Sequence, residues 1–119
     1  LHPYPSGLPL NDLGQVPWPE GLSLCLERLH HELPGRSFVV AECGIGTDDD
    51  DWRARYLDEC VQRTEAAMAD GVDVRGFFHW TGVDNYEWLH GDDVRFGLFD
   101  RDRNTGASAA MAARWAMRT

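Results

Sequence analysis

A chain of 119 residues with a formal net charge of −9 is long enough for one modest domain with its own core. The acidic balance excludes a nucleic-acid surface, which binds mainly through Lys and Arg. No apolar run approaches the roughly 18 residues of a transmembrane helix, and the start, Leu1-His2-Pro3-Tyr4-Pro5, has neither the basic nor the apolar region of a signal peptide.

Residues 1–19 are rich in Pro and Gly and read as an irregular loop. Pro19-Glu20 opens a helix, because Pro suits the first turn and Glu complements the positive end of the dipole. Leu22, Cys25, Leu26, Leu29 and Leu33 follow at helical spacing, and Pro34-Gly35 ends the run. Phe38-Val39-Val40-Ala41 is continuously apolar, as in a strand buried on both faces of a parallel sheet. It ends at Glu42, followed by Gly44 and Gly46. A lone carboxylate there is unusual, since burying an unpaired charge costs on the order of several kcal/mol.

Asp48 to Asp51 mark the start of a second helix, where the dipole favours acids. The run lacks the alternating ligands and terminal Glu of a calcium loop, so it reads as a solvated helix start. Trp52, Tyr56, Cys60, Val61, Thr64, Ala67 and Met68 predict the buried face of that helix, and Gly71 its C-cap. Val72 to Trp80 predicts a second strand, Thr81 to Gly91 an aromatic loop, Val94 to Phe99 a short strand or hairpin arm, and Thr105 to Met117 an alanine-rich helix. Strand, helix and strand in this order make a βαβ unit with parallel strands.

Cys25, Cys43 and Cys60 are odd in number and lack CxxC spacing. They predict free thiols in a reducing, cytoplasmic compartment rather than a disulfide frame or a zinc site. His30 and His31 fall on a helix surface and His79 on a strand, which suits packing better than ligation. Two acids lie where a parallel α/β enzyme keeps its chemistry, just past strand ends: Glu42, and Glu87 between Tyr86 and Trp88. Carboxylates beside aromatic rings suit sugars, because rings cover pyranose faces and carboxylates accept from hydroxyls. A Glu at a strand end is more commonly an ion-pair or capping group, so these residues alone support an α/β enzyme and leave its substrate open.

Five segments together resemble glycoside hydrolase family 1. Val40-Ala41-Glu42-Cys43-Gly44 resembles its I-T-E-N-G, and Trp80 through Trp88 its W-S-L-x-D-N-F-E-W. Arg95-Phe96-Gly97-Leu98 matches R-F-G-L, Asp70 through Phe77 matches D-G-V-x-V-x-G-Y, and Pro19-Glu20-Gly21-Leu22 matches P-E-G-L. They occur in family order between about residues 11 and 108. The resemblance implies an α/β fold: the C-terminal part of a (β/α)8 barrel, about strands seven and eight with their helices. A complete barrel takes about 250 residues, so residues 1–119 would form one partial domain, with 20–119 as its barrel units. The missing initiator Met fits a chain that begins mid-protein.

The resemblance further implies retaining hydrolysis of a small β-glycoside, with Glu42 as nucleophile and no metal or organic cofactor. Trp80 would lie under the sugar, Glu87 would accept its 4- and 6-hydroxyls, and Trp88 would donate its indole N–H to a ring hydroxyl. Asp84, Asn85 and Arg95 would shape the loop. A retaining glycosidase needs two carboxylates about 5–5.5 Å apart, and the family's acid/base N-E-P motif is absent here. The barrel's N-terminal half, or a homo-oligomer, would therefore be a partner. Cys43 replaces the family Asn, Gln15 stands where many members have Trp, and Gly82 and Asp92 replace commoner Leu and Tyr, leaving aglycone preference open. An acid at position 87 would repel the phosphate that the 6-phosphoglycosidase branch accepts. Two alternatives stand beside this reading: a non-catalytic sugar-binding or structural remnant, and a different barrel glycosidase pairing Glu42 with Glu87.

Overall fold

In the computed structural model, residues 5–117 are described. The part of the predicted irregular segment that falls on residues 1–4 lies outside them. Five elements follow in order: α1 Pro19–Glu32, β1 Phe38–Cys43, α2 Asp50–Ala69, β2 Val74–His79 and α3 Ala107–Ala116. The strands pair in parallel, as the βαβ pattern predicts.

Local chemistry explains the boundaries. Pro19 starts α1. Asp49 caps α2, its carboxylate accepting from Trp52 N–H at 2.9 Å. Gly71 takes φ +97° after α2, a conformation open to glycine without a Cβ penalty. Asp50 then ties the second helix to the third: its carboxylate accepts from the Ser108 backbone N–H at 3.1 Å and from the Ser108 hydroxyl.

The core lies between the sheet and its helices. Leu26, Val40, Ala67, Val72 and Val74 are buried together, with Leu22, Phe38, Cys43 and Phe77 packed against them. The other side of the sheet is open in this chain: Val39 is 53% and Phe78 61% exposed. The expectation of strands buried on both faces is therefore met on one face only. Apolar residues do stand on both faces, but the described residues supply a cover for one.

Two further expectations change. The buried face of α2 is Arg53, Leu57, Cys60, Thr64 and Ala67, rotated from the predicted one; Trp52 and Val61 are half-buried and Met68 is exposed. The rotation depends on burying a charged residue, which periodicity reads as solvated. Residues 94–99 form no strand, only isolated bridges at Phe99. Their backbone groups serve several loops: Arg95 C=O accepts from Thr47 N–H, Phe96 C=O from Thr81 N–H, and Gly97 N–H donates to Asp84 Oδ1. A segment shared in this way cannot form one continuous ladder.

Candidate active site

The register of the sheet determines where Glu42 stands. Val40 pairs with Phe77 and Cys43 with His79, so β1 carries one more residue than β2 across this interval. Such a bulge reverses the in–out alternation. Val40 is buried in the core between the sheet and its helices, and Cys43 packs against the same cluster. Glu42, between them, is exposed with Ala41 and Val39. Without the bulge, strict alternation from Val40 would turn Glu42 toward the helices. Trp80 directly follows β2 and is also exposed. Its N–H donates to Cys43 C=O at 3.0 Å, joining the two strand ends, and a cis peptide bond links it to Thr81. The structure thus places Glu42 and Trp80 at the same end of the sheet.

The loop behind Glu42 is tightly held. A Cβ on Gly44 would overlap the Trp80 carbonyl oxygen, and one on Gly46 would meet Val94 and Phe96. Ile45 is 1% and Thr47 2% exposed. The Gly46 C=O accepts from Asp12 N–H at 3.1 Å, and the Asp12 carboxylate accepts from Asp48 N–H at 2.8 Å. Asn11 shapes the turn that brings Asp12 there, its side-chain oxygen accepting from Leu13 and Gln15 N–H. Beneath the loop, the Arg53 guanidinium pairs with Asp50 at 2.6 Å and donates to the carbonyls of Thr47 and Arg95, the latter at 3.0 Å. Sequence reading missed Arg53. Its available signal was its place on the 53, 57, 60, 64, 67 spacing, within one turn of an acidic helix start.

The loop after β2 carries Glu87 and Trp88. Glu87 N–H donates to Gly91 C=O at 2.8 Å and Gly91 N–H returns to Glu87 C=O at 2.7 Å, closing a small turn with Trp88 at 93% and Leu89 at 91% exposure. Asn85 Nδ2 donates to Glu87 Oε1 at 2.8 Å, which orients the carboxylate. Asp84 accepts from Gly97 N–H at 2.7 Å and pairs with Arg95 at 3.3 Å. Asp84, Asn85 and Arg95 therefore act on loop shape, as expected.

His79 Nε2 lies 3.1 Å from Phe96 C=O, and burial holds its imidazole below the usual histidine range despite that bond. Asp50 is pulled in opposite directions. Burial raises its pKa, but the hydrogen bonds from Ser108 and Arg53 outweigh burial and hold it below the ordinary carboxylate value. Among the described residues no cluster of His, Cys, Asp and Glu could hold a metal ion, and no helix is long and apolar enough to cross a membrane.

Comparisons with known proteins agree with this geometry. Residues 5–116 match the model of glycosyl hydrolase family 1. A β-galactosidase of Saccharolobus solfataricus is 41% identical over 100 residues, covering 84% of this chain and 20% of that protein. The structure of a β-glucosidase from Thermotoga maritima in complex with glucoimidazole superposes with a TM-score of 0.89 at 26% identity, over 96% of this chain and 29% of that one. A psychrophilic β-glucosidase from Micrococcus antarcticus superposes with a TM-score of 0.85 at 30% identity, over 95% of this chain and 28% of that one. The chain thus spans less than a third of each relative. Its parallel sheet and helices correspond to part of a (β/α)8 barrel. The chain belongs to glycosyl hydrolase family 1.

Proposed function

We propose that this chain is the nucleophile-bearing, C-terminal part of a retaining β-glycosidase acting on β-linked glucosides or related equatorial sugars, with β1 and β2 as strands seven and eight of the barrel. The observation that carries the reading is the β1 bulge. It turns Glu42 onto the open face of the sheet, at the end where Trp80 emerges. In the parallel α/β barrel, catalytic groups occupy the C-terminal strand ends.

In this mechanism the Glu42 carboxylate attacks the anomeric carbon and forms a glycosyl-enzyme ester as the glycosidic bond breaks. A second carboxylate, supplied from outside this chain, protonates the leaving oxygen and then takes a proton from the water that cleaves the ester. Trp80 stacks under the sugar ring. Glu87, held by Asn85 at one oxygen, accepts the 4- and 6-hydroxyls, and the exposed Trp88 donates its indole N–H to a ring hydroxyl.

The test uses the protein at its native length. Glu42→Ala lowers β-glucosidase turnover by several orders of magnitude, and azide, filling the vacated space, restores part of it and yields the inverted glycosyl azide. Full turnover in that variant would overturn the assignment. The 119-residue chain alone, carrying one carboxylate of the pair, shows no appreciable turnover.

A further inference from the structure

The turn that carries Glu87 is fastened at its base by backbone bonds. Asp84 N–H donates to Phe99 C=O and Phe99 N–H to Gly82 C=O, both at 3.0 Å, and Gly97 N–H donates to Asp84 Oδ1 at 2.7 Å. Beyond Asp84 the chain bonds to itself: Asn85 to Glu87, Glu87 to Gly91, and Asp93 N–H to His90 C=O. Among the described residues, one side chain from outside residues 85–93 hydrogen-bonds this turn, and it is Arg101. Its Nη2 pairs with the Asp92 carboxylate and donates to the Asn85 carbonyl at 3.4 Å. Asn85 precedes Glu87 and Asp92 follows Gly91, so one guanidinium bridges both ends of the turn.

Arg101 is itself presented by a closed turn. Asp100 N–H donates to Asn104 C=O at 3.1 Å and Arg103 N–H to Asp100 C=O at 3.0 Å. The Asp100 carboxylate accepts from Asn104 N–H and Nδ2, both at 2.8 Å, and Phe99 and Thr105 bridge at the mouth of the turn. The guanidinium therefore works from the same Phe99 backbone that fastens the Glu87 turn.

We propose that Arg101 is a positioning residue for the Glu87 carboxylate, acting through Asp92 and Asn85; the inference rests on the proposed role of Glu87 as acceptor of the sugar's 4- and 6-hydroxyls. Asn85 is the link. Its backbone carbonyl accepts from Arg101, and its side chain donates to Glu87 Oε1 at 2.8 Å. A shift of Asn85 redirects the carboxylate, and hydrogen bonds to it weaken steeply as they bend. The Arg101 and Asp92 side chains are 45% and 58% exposed. An ion pair so exposed contributes little to stability, and its effect falls on where the turn points.

The experiment measures kcat/KM of the native-length protein on a nitrophenyl β-glucoside and on its 6-deoxy analogue, which lacks one hydroxyl that Glu87 accepts. The readout is the ratio of the two. Arg101→Ala lowers this ratio about threefold to fivefold, or about 0.7–1 kcal/mol at about 1.4 kcal/mol per tenfold. Arg101→Lys, which keeps the charge and a donor, retains most of it. Glu87→Gln lowers the ratio further, and adding Arg101→Ala to Glu87→Gln changes it less than Arg101→Ala does alone, because the two act on one bond. A merely structural role for Arg101 would lower both substrates by the same factor. That result, or no change, alongside a ratio lowered by Glu87→Gln, would overturn the proposal and leave the role of Glu87 intact. A ratio unmoved by Glu87→Gln would overturn both.

Discussion

The two loops that leave the same end of the sheet are built in opposite ways. The loop after β1 is immobilised from every side: Ile45 and Thr47 are buried, Gly44 lies against the Trp80 backbone, and Arg53 binds its carbonyl from beneath. The loop after β2 holds its shape through short-range bonds, Asn85 to Glu87 and Glu87 to Gly91, while Tyr86, Trp88 and Leu89 stand in solvent. On the proposed reading the first loop carries the nucleophile, which needs a position because reacting atoms must meet within a narrow geometry. The second loop on that reading carries the acceptor of sugar hydroxyls, which needs orientation, and local hydrogen bonds supply it without a buried core. The first loop should accordingly report on stability and the second on specificity.

The largest expected effect is on the first loop. Arg53→Ala strands the Thr47 carbonyl and takes one donor each from the Arg95 carbonyl and the Asp50 carboxylate, which keep their bonds from Thr47 N–H and Ser108, and removing one partner of a buried ion pair costs about 3–5 kcal/mol. Chemical denaturation of the native-length protein should show a loss of that order. A loss below about 1 kcal/mol would mean that the loop is held by its glycines and the Asn11–Asp12 turn alone.

On the second loop, Glu87→Gln should leave stability within about 0.5 kcal/mol but lower kcat/KM on glucosides by roughly one to two orders of magnitude, at about 1.4 kcal/mol per tenfold. A carboxylate bonded to two hydroxyls loses charge-assisted bonds when it becomes an amide. It should also narrow the preference for glucosides over 6-phosphoglucosides, because the repelling charge is gone. A uniform loss across leaving groups fits sugar binding. A loss that grows with leaving-group pKa would instead make Glu87 a proton donor.

The smallest effect is a pH dependence of the first loop. Asp50 has a folded pKa below its unfolded value, so its contribution is complete above about pH 4 and is lost as pH falls through the folded value. It belongs to the Arg53 network, and hydrogen bonds of this kind contribute on the order of 1 kcal/mol. Thermal unfolding of Asp50→Asn and the parent protein should differ at neutral pH and converge only as the pH falls from about 4 to below the folded value.

The sequence by itself determined the two strands, the three helices and their order. Pro19, the Asp49 cap and Gly71 act within a few residues of where they stand, and apolar periodicity needs no distant partner. It also located Glu42 at a strand end and the aromatic loop after the next strand. Only the tertiary structure decided which way Glu42 points, because the bulge is a relation between two strands and no residue of β1 announces it. The same holds for Arg53, whose burial depends on carbonyls at Thr47 and Arg95, and for residues 94–99, whose backbone groups are claimed by Thr47, Thr81 and Asp84. Short-range chemistry is legible one residue at a time, whereas a buried charge or a shared backbone takes its meaning from partners that folding brings from far along the chain.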